Sequence, residues 1–418
     1  MKMMFRRAIG ALAAIAIAAA LLWTPSYAAP VPLANNLGLR TIPFRIVNNT
    51  GHAGDLFLYV IGEVASNGKS YYLSNVNGDV TIVPQLLQPT SLGLNLGAQT
   101  TYDVMLPQLR ATRIFFSFDR GLVVTATAEG APPSAPPGWV RTDPNFNTLF
   151  DFAEFTWLDD VQPSNFTSTL GINATQVDMF GFAMLIALTG TDDAGTVGAV
   201  KKAGFNDSAA RKKIFSALQS AGKPWRTLIM GDGRTVPLRV IAPYHGIEMG
   251  VFPANFLDDY IDQVWTFYTR KQLSAMSENR TYAGTIQDGL MVFNEVGGPD
   301  PPFKFDKPTS KAAFENAMPV RGCVVNNPPA WCGRAGAIGA LMGAGFMRTT
   351  LLAATNLNKC AVKSFYQNAP VNMYAETFHQ YSLRQLAYSF GFDDTCDQSS
   401  FIQIHDPTKL QITIQPFN

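Results

Sequence analysis

Hydrophobic and polar positions along this chain follow one rhythm in its first half and another in its second. From about residue 43 to 128 the apolar positions fall in short β-rich runs. They include Phe44-Arg-Ile-Val-Asn48, Leu56-Phe-Leu-Tyr-Val-Ile61, Val80-Thr-Ile-Val83 and Arg113-Ile-Phe-Phe-Ser-Phe118. Asn-Asn-Thr-Gly, Ser-Asn-Gly, Asn-Gly-Asp and Asp-Arg-Gly turn signals bound them. Many short strands at that spacing predict a sandwich or barrel. Residues 131–138, rich in proline, cannot build helix or central strand and read as a surface loop. Residues 180–188 read as one further buried strand. Beyond about residue 190 helical spacing takes over, with helices expected at 207–221, 254–270, 335–355 and 373–388. Asp207 or Ser208 is the expected N-cap of the first and Gly222 its stop. Strand candidates at 240–242 and 290–293 lie between the helices, and Gln411-Ile-Thr-Ile-Gln415 alternates as a returning strand. The organisation expected is a β-sandwich or barrel domain over 29–190, a mixed α/β domain over 191–390, and strands within 391–418 that rejoin the first domain.

Two stretches break the apolar pattern in a way that matters. In Asp151-Phe-Ala-Glu-Phe-Thr-Trp157, period-two alternation puts Phe152, Glu154 and Thr156 on one face and Ala153, Phe155 and Trp157 on the other. In Asn173-Ala-Thr-Gln-Val-Asp-Met-Phe-Gly181, strand alternation would put Gln176 and Asp178 together, opposite Val177 and Met179. A core strand gives its inward face to apolar groups. A strand that presents Glu-x-Thr or Gln-x-Asp has a wet face fit to line a cleft.

The first 28 residues precede any fold. Lys2, Arg6 and Arg7, an apolar run over 8–23 and Ser26-Tyr27-Ala28 make a secretory signal peptide cleaved after Ala28; the competing reading, a membrane anchor, needs a longer apolar run. The expected location is extracellular. Without the leader's three cations, 29 basic residues face 31 acidic ones, so nothing draws the chain to nucleic acid or anionic lipid. A neutral polymer such as a polysaccharide fits better, and the chain is expected to act as a monomer. The four cysteines, Cys323, Cys332, Cys360 and Cys396, allow two disulfides in any of three pairings in an oxidising compartment. No Cys-x-x-Cys spacing exists and the histidines are scattered, so no metal and no other cofactor is expected.

Several catalytic signatures are absent: no Gly-x-Ser-x-Gly elbow, Walker loop, His-Glu-x-x-His or dinucleotide fingerprint occurs. What remains is the carboxylate pair. Cleaving a glycosidic bond requires a proton delivered to the leaving oxygen and a nucleophile on the other side of the sugar. Two carboxyl groups supply both when their environments separate their pKa values. Glu154, beside Phe152, is the candidate acid; Asp178, beside Gln176, is the candidate base. Lesser candidates are weighed against structural roles. His245 reads as a hydrogen-bonded structural histidine rather than a substrate ligand. Asp393, Asp394 and Asp397 read as solvated turn carboxylates rather than a calcium site. Asp258, Asp259 and Asp262 read as a helix N-terminal charge cluster, and one or two of Trp139, Trp157, Trp265 and Trp331 as sugar-stacking rings.

Glu154-Phe-Thr-Trp157 followed by Asn173-x-Thr-Gln-Val-Asp178-x-Phe-Gly181 resembles glycoside hydrolase family 64, β-1,3-glucanases best known for releasing laminaripentaose and related in fold to thaumatin-like proteins. Further likeness runs through Arg113-Ile-Phe-Phe-Ser117, Arg239-Val-Ile-Ala242, Phe252-Pro-Ala-Asn-Phe-Leu-Asp258 and Tyr388-Ser-Phe390, so it spans about residues 40–418. The resemblance implies a thaumatin-like β-sandwich or barrel domain and an α/β domain flanking a wide groove. It implies Glu154 as general acid and Asp178 as general base of an inverting endo-β-1,3-glucanase that yields short laminari-oligosaccharides. Asp143, Asn145, Thr156, Asn173, Thr175 and Gln176 match positions that look like glucan contacts. The alternative it leaves open is a non-catalytic thaumatin-like β-1,3-glucan-binding protein. Two positions depart from the family: Leu158 stands where a polar residue is common, and Gly171 and Ile172 stand where an aromatic is common.

Overall fold

Alternating apolar residues pair into a twelve-stranded, nearly closed barrel-like sheet in the computed structural model, which describes residues 36–160, 165–231, 237–318, 320–323 and 328–417. The signal peptide expected at 1–28 lies outside the described residues. Along its main path the sheet runs Val197–Gly204, Met184–Thr191, Ile402–Ile414, Ser168–Ala174, Leu149–Asp159, Arg110–Phe118, Leu56–Glu63, Ser70–Leu73 and Val80–Ile82. The C-terminal strand Ile402–Ile414 joins both ends of the chain. It lies antiparallel to Ser168–Ala174 and Met184–Thr191 and parallel to Thr41–Asn48, with Ile46 opposite Ile412. The sheet also takes in Val197–Gly204, past the boundary expected at 190.

The two faces of the central strands bury different cores. Ala153, Phe155 and Trp157 point into the barrel with Phe44, Ile114, Phe116, Ile172 and Ile412. Phe115 and Phe152 point outward, under a layer that contributes Phe180, Tyr244, Tyr260 and Phe378. Each such side chain contributes about 1.5–3 kcal/mol on burial, so both faces of Leu149–Asp159 are strongly specified. The covering layer does not run the whole length of that strand. Glu154 and Thr156, one and two pleats beyond Phe152, are only half-buried.

The second half supplies that layer. Its longer helices are Ala210–Ser220, Asp258–Phe267, Ala330–Met347 and Met373–Tyr381. The first begins three residues later than 207, because Asp207 Oδ1 accepts from Ala209 N at 2.8 Å in a turn ahead of the helix; Gly222, at φ +72°, ends it. Asp258 and Asp259 occupy the first turn of their helix, where the dipole favours anions. The last helix, expected to reach 388, stops at Tyr381. Ser382 is extended, and Arg384 and Gln385 take positive φ, which no helix can continue. Antiparallel strands Leu273–Ser277, Arg280–Gln287, Leu290–Glu295 and Phe303–Phe305 form a separate small sheet. The disulfides join Cys323 to Cys332 and Cys360 to Cys396.

Among the described residues two aspartates are buried, and one of them was expected in a solvated turn. Asp393 is not a solvated turn carboxylate but fully buried. It accepts from His379 Nε2 at 2.9 Å, Arg348 at 3.0 Å and both Ser389 N and Oγ. Burial works to raise its pKa, yet His379 and Arg348 together hold it below the usual carboxylate range. Asp151, not singled out by the alternation, is also buried and accepts from the backbone N–H groups of Phe152, Gly181 and Phe182. Burial pushes its carboxyl up to about 7 against those three donors and the nearby Arg239. Its bonds to Gly181 and Phe182 tie the acid-bearing strand to the segment that follows Asp178. A side chain at Gly181 would strike the Phe150 carbonyl, so only glycine fits that junction.

Candidate active site

Glu154 faces outward because its neighbours Ala153 and Phe155 are claimed by the barrel interior. In register with it lie Arg113 on one side and Asn173 on the other, so all three side chains share one face. Arg113 Nε donates to Glu154 Oε1 at 2.9 Å, and its guanidinium lies 4.9 Å from the Phe152 ring centroid. The Glu154 side chain is 23% exposed. Burial raises its pKa most, Arg113 opposes, and the charge of Asp178 raises it further. That last effect places the two carboxyl groups within electrostatic reach of each other.

Asp178 does not lie on a strand, contrary to the alternation of its sequence. The strand Ser168–Ala174 ends four residues earlier, and the next, Met179–Phe180, pairs instead with Arg239–Ile241 in a small sheet. The segment between is held by tertiary bonds. Gln176 N donates to Tyr388 O at 2.7 Å, Tyr374 Oη donates to Gln176 O at 2.6 Å, and Ala242 N donates to Asp178 O at 2.9 Å. The helix Pro243–Glu248 begins at this last contact and brings two side chains to Asp178. Tyr244 Oη donates to Oδ1 at 2.5 Å, and His245 Nε2 stands 3.6 Å from the same oxygen, outside hydrogen-bond range but close in charge terms. His245 Nδ1 donates to Glu248 Oε2 at 2.8 Å, and Lys311 Nζ stands 3.0 Å from Glu248 Oε1. His245 thus has the hydrogen-bonded structural role read for it, through Glu248, with its Nε2 edge turned toward Asp178. Burial works to raise the Asp178 pKa, but His245, Tyr244 and Arg113 outweigh it and hold the group low. On one half-open face, then, one carboxyl is biased toward its acid and the other toward its anion, the division of labour that acid–base chemistry needs.

The other expected contacts separate into two groups. Thr156, which accepts from Ala111 N through Oγ1 at 3.0 Å, and Asn173, whose buried Oδ1 accepts no hydrogen bond among the described residues, lie beside Glu154. Thr175 Oγ1 accepts from Val177 N. Gln176 is spent on Ala174 O and Tyr388 N. Asn145 gives both side-chain atoms to the Val123 backbone, and Asp143 Oδ1 accepts from Asn145 N. These last four are engaged with backbone, Thr175 and Gln176 in the segment that leads to Asp178 and Asp143 and Asn145 in a loop held to Val123. Of the tryptophans, Trp157 and Trp265 are buried and Trp331 stacks on Phe303, whereas Trp139 stacks on His245 beside Asp178. Sequence reasoning missed Arg113 and Tyr244 as site residues. A charged residue on the outward face of a strand that also carries outward Phe115 is the signal for Arg113; nothing local signals Tyr244. Among the described residues no three His, Cys, Asp or Glu side chains converge to hold a metal ion.

Residues 40–414 match the glycoside hydrolase 64 family, described as Beta-1,3-glucanase. A glucan endo-1,3-beta-glucosidase of Arthrobacter sp. (strain YCWD3) is 28% identical over 422 residues, covering 99% of this chain and 71% of its own. A protein of the same name from Cellulosimicrobium cellulans is equally similar. Among solved structures, a laminaripentaose-producing beta-1,3-glucanase in complex with laminaritetraose superposes with a TM-score of 0.77 at 28% identity, covering 90% of this chain and 99% of that one. A beta-1,3-glucanase domain from Clostridium beijerinckii, 22% identical with a TM-score of 0.71, shares the fold over 93% of this chain and all of its own.

Proposed function

Since this chain belongs to the β-1,3-glucanases of glycoside hydrolase family 64, we propose that Glu154 and Asp178 are the acid and base with which it hydrolyses its glucan. The enzyme is an endo-1,3-β-glucanase, a glycoside hydrolase acting on β-1,3-glucan. In the proposed reaction Asp178 takes a proton from a water molecule as that water attacks the anomeric carbon. Glu154 gives its proton to the leaving glycosidic oxygen on the opposite side of the ring. Configuration inverts, which calls for carboxyl groups about 6.5–9.5 Å apart with one water between the base and the sugar. The observation that carries the reading is the placement of the two partly exposed carboxyl groups, Glu154 against Arg113 and Asp178 against Tyr244 and His245, surroundings that bias Glu154 upward and Asp178 downward in pKa.

Thr156 and Asn173 are the proposed first sugar contacts, because they flank Glu154; Thr175, Gln176, Asp143 and Asn145 act by fixing the backbone beneath. The products are short laminari-oligosaccharides, with the laminaripentaose-producing relative as the precedent. The thaumatin-like relationship and a wide substrate groove belong to the same proposal, supported by the barrel's outer face being left uncovered beyond Phe152. Extracellular action is supported by the leader sequence and by two disulfides.

Glu154→Gln and Asp178→Asn test the assignment on laminarin. Each is expected to lower kcat by about 10²–10⁴-fold with the fold retained. Proton NMR of the first products of the wild-type enzyme is expected to show the α-anomer. Near-wild-type turnover in either variant removes that residue from its role, and a β-anomer product removes inversion.

A further inference from the structure

An aromatic side chain outside the acid–base pair is mounted on the same face. Phe401 immediately precedes the strand Ile402–Ile414, whose Ile402 and Gln403 lie opposite Ile172 and Gly171. Its ring folds back over Gly171: a Cβ there would stand 2.5 Å from Phe401 Cζ and 2.7 Å from Cε2. Gly171 does not take positive φ, so its backbone makes no demand for glycine. The absent side chain serves the ring. Across the strand pair Gly171 faces Thr156, one pleat from Glu154, and the odd-numbered residues of Ser168–Ala174 point away from the barrel interior, which takes Leu170, Ile172 and Ala174. Phe401 is nonetheless 36% exposed, a large apolar ring at the surface beside both apolar and charged neighbours. It borders an open cleft of about 810 Å³ whose other walls include Lys202, Arg384, Asp394, Asp397 and Gln403.

We propose that Phe401, seated on Gly171, is a sugar-stacking platform that binds a glucosyl unit of the β-1,3-glucan away from the scissile bond, with the adjacent cleft receiving that unit's hydroxyls. This rests on the glucanase reading and extends it to chain-length preference. A pyranose has an apolar C–H face and a hydroxyl rim. A partly exposed ring beside carboxylate and guanidinium groups offers a surface to each. Binding energy at such a remote position favours long chains over short ones. No bond is made or broken by Phe401.

The experiment compares wild type, Phe401→Ala, Phe401→Trp and Gly171→Ala on a laminari-oligosaccharide series, with melting temperature measured for each. Phe401→Ala is expected to raise KM about tenfold for the longest oligosaccharides, with kcat and the KM of the shortest hydrolysed one unchanged. Phe401→Trp keeps the platform and is expected to stay within about twofold of wild type. Gly171→Ala displaces the ring and is expected to follow Phe401→Ala even though Phe401 is present. An equal KM change at all lengths, or lowered melting temperature with unchanged KM, overturns the proposal and leaves Phe401 a structural cap. Calorimetric titration with laminarihexaose separates the two readings. A wild type that binds but does not hydrolyse, with binding weakened in Phe401→Ala, removes the catalytic reading and leaves the platform standing.

Discussion

The indole of Trp139 lies flat on the imidazole of His245, ring centroids 3.4 Å apart and planes 16° from parallel. With Nδ1 bonded to Glu248, this stack fixes the ring edge that faces Asp178. In the proposed reaction His245 would act through Asp178, as a positioning residue. His245→Ala is expected to lower kcat about 10–100-fold with KM little changed, as loss of outer supporting contacts does. Because His245 and Tyr244 both hold Asp178 low, His245→Ala and Tyr244→Phe are each expected to move the acidic limb of the kcat profile to higher pH. A purely structural role would lower activity at every pH alike. An unmoved acidic limb in both variants would refute the positioning role.

Arg113 touches one carboxyl and influences both. It opposes the upward shift of Glu154 and helps hold Asp178 down. Removing its charge must therefore raise both pKa values. The acid then keeps its proton to higher pH, and the base stays protonated to higher pH. Arg113→Met is expected to move both limbs of the kcat/KM profile in the alkaline direction, while Arg113→Lys stays nearer wild type. A profile that narrows from one side only would show that Arg113 does not couple the pair.

Asp393 and His379 make the buried ion pair whose loss should cost most. Burial lowers the His379 pKa, but Asp393 and the Gln385 carbonyl more than reverse this, so it ends raised; Asp393 ends lowered. The aspartate's share of stability is present above its unfolded pKa near 4 and is lost as pH falls through its lower folded value. The histidine's share is present below about 6.5 and is lost as pH rises through its raised folded value. Both are complete between about pH 4 and 6.5. Asp393→Asn leaves Arg348 and His379 without their buried partner and is expected to cost about 3–5 kcal/mol in that window. Urea denaturation at about pH 5.5 checks it, and a loss below about 1 kcal/mol would contradict the pairing.

Sequence reading reached the strand of Glu154 and the face it presents because Leu149–Asp159 is buried on both sides of its pleat. Phe152 and Phe155 are claimed by two different cores, and Glu154 between them has one direction left. The same reasoning failed at Asp178. Gln-x-Asp alternates like a strand, but Gln176 takes its backbone partners from Tyr388 and Tyr374, about 200 residues away, and no local pattern encodes those bonds. The residues that tune the pair were hidden for the same reason. Arg113 reaches Glu154 through strand register, and Tyr244 reaches Asp178 through a helix that begins where a small sheet ends. Asp393 was misread because a polar turn looks solvated until its two cationic partners, 14 and 45 residues back, are brought over it.

Asp151 is the remaining buried carboxyl, and its pH dependence has the opposite sign to that of Asp393. Its folded pKa is pushed up to about 7 by burial, whereas in the unfolded chain it titrates near 4. Between those values the folded protein holds a proton that the unfolded chain has released, so this group's share of stability falls as pH rises. The slope is at most about 1.4 kcal/mol per pH unit. Asparagine resembles the protonated acid: its carbonyl can still accept from Gly181 N and Phe182 N, leaving only the Phe152 contact unmet. Asp151→Asn is therefore expected to lie within about 1 kcal/mol of wild type at pH 5 and to gain about 2–3 kcal/mol relative to it by pH 8. Paired urea titrations at the two pH values measure the difference directly. If the two proteins lose or gain stability in parallel, Asp151 is ionised throughout, and its three backbone donors rather than its burial decide its charge.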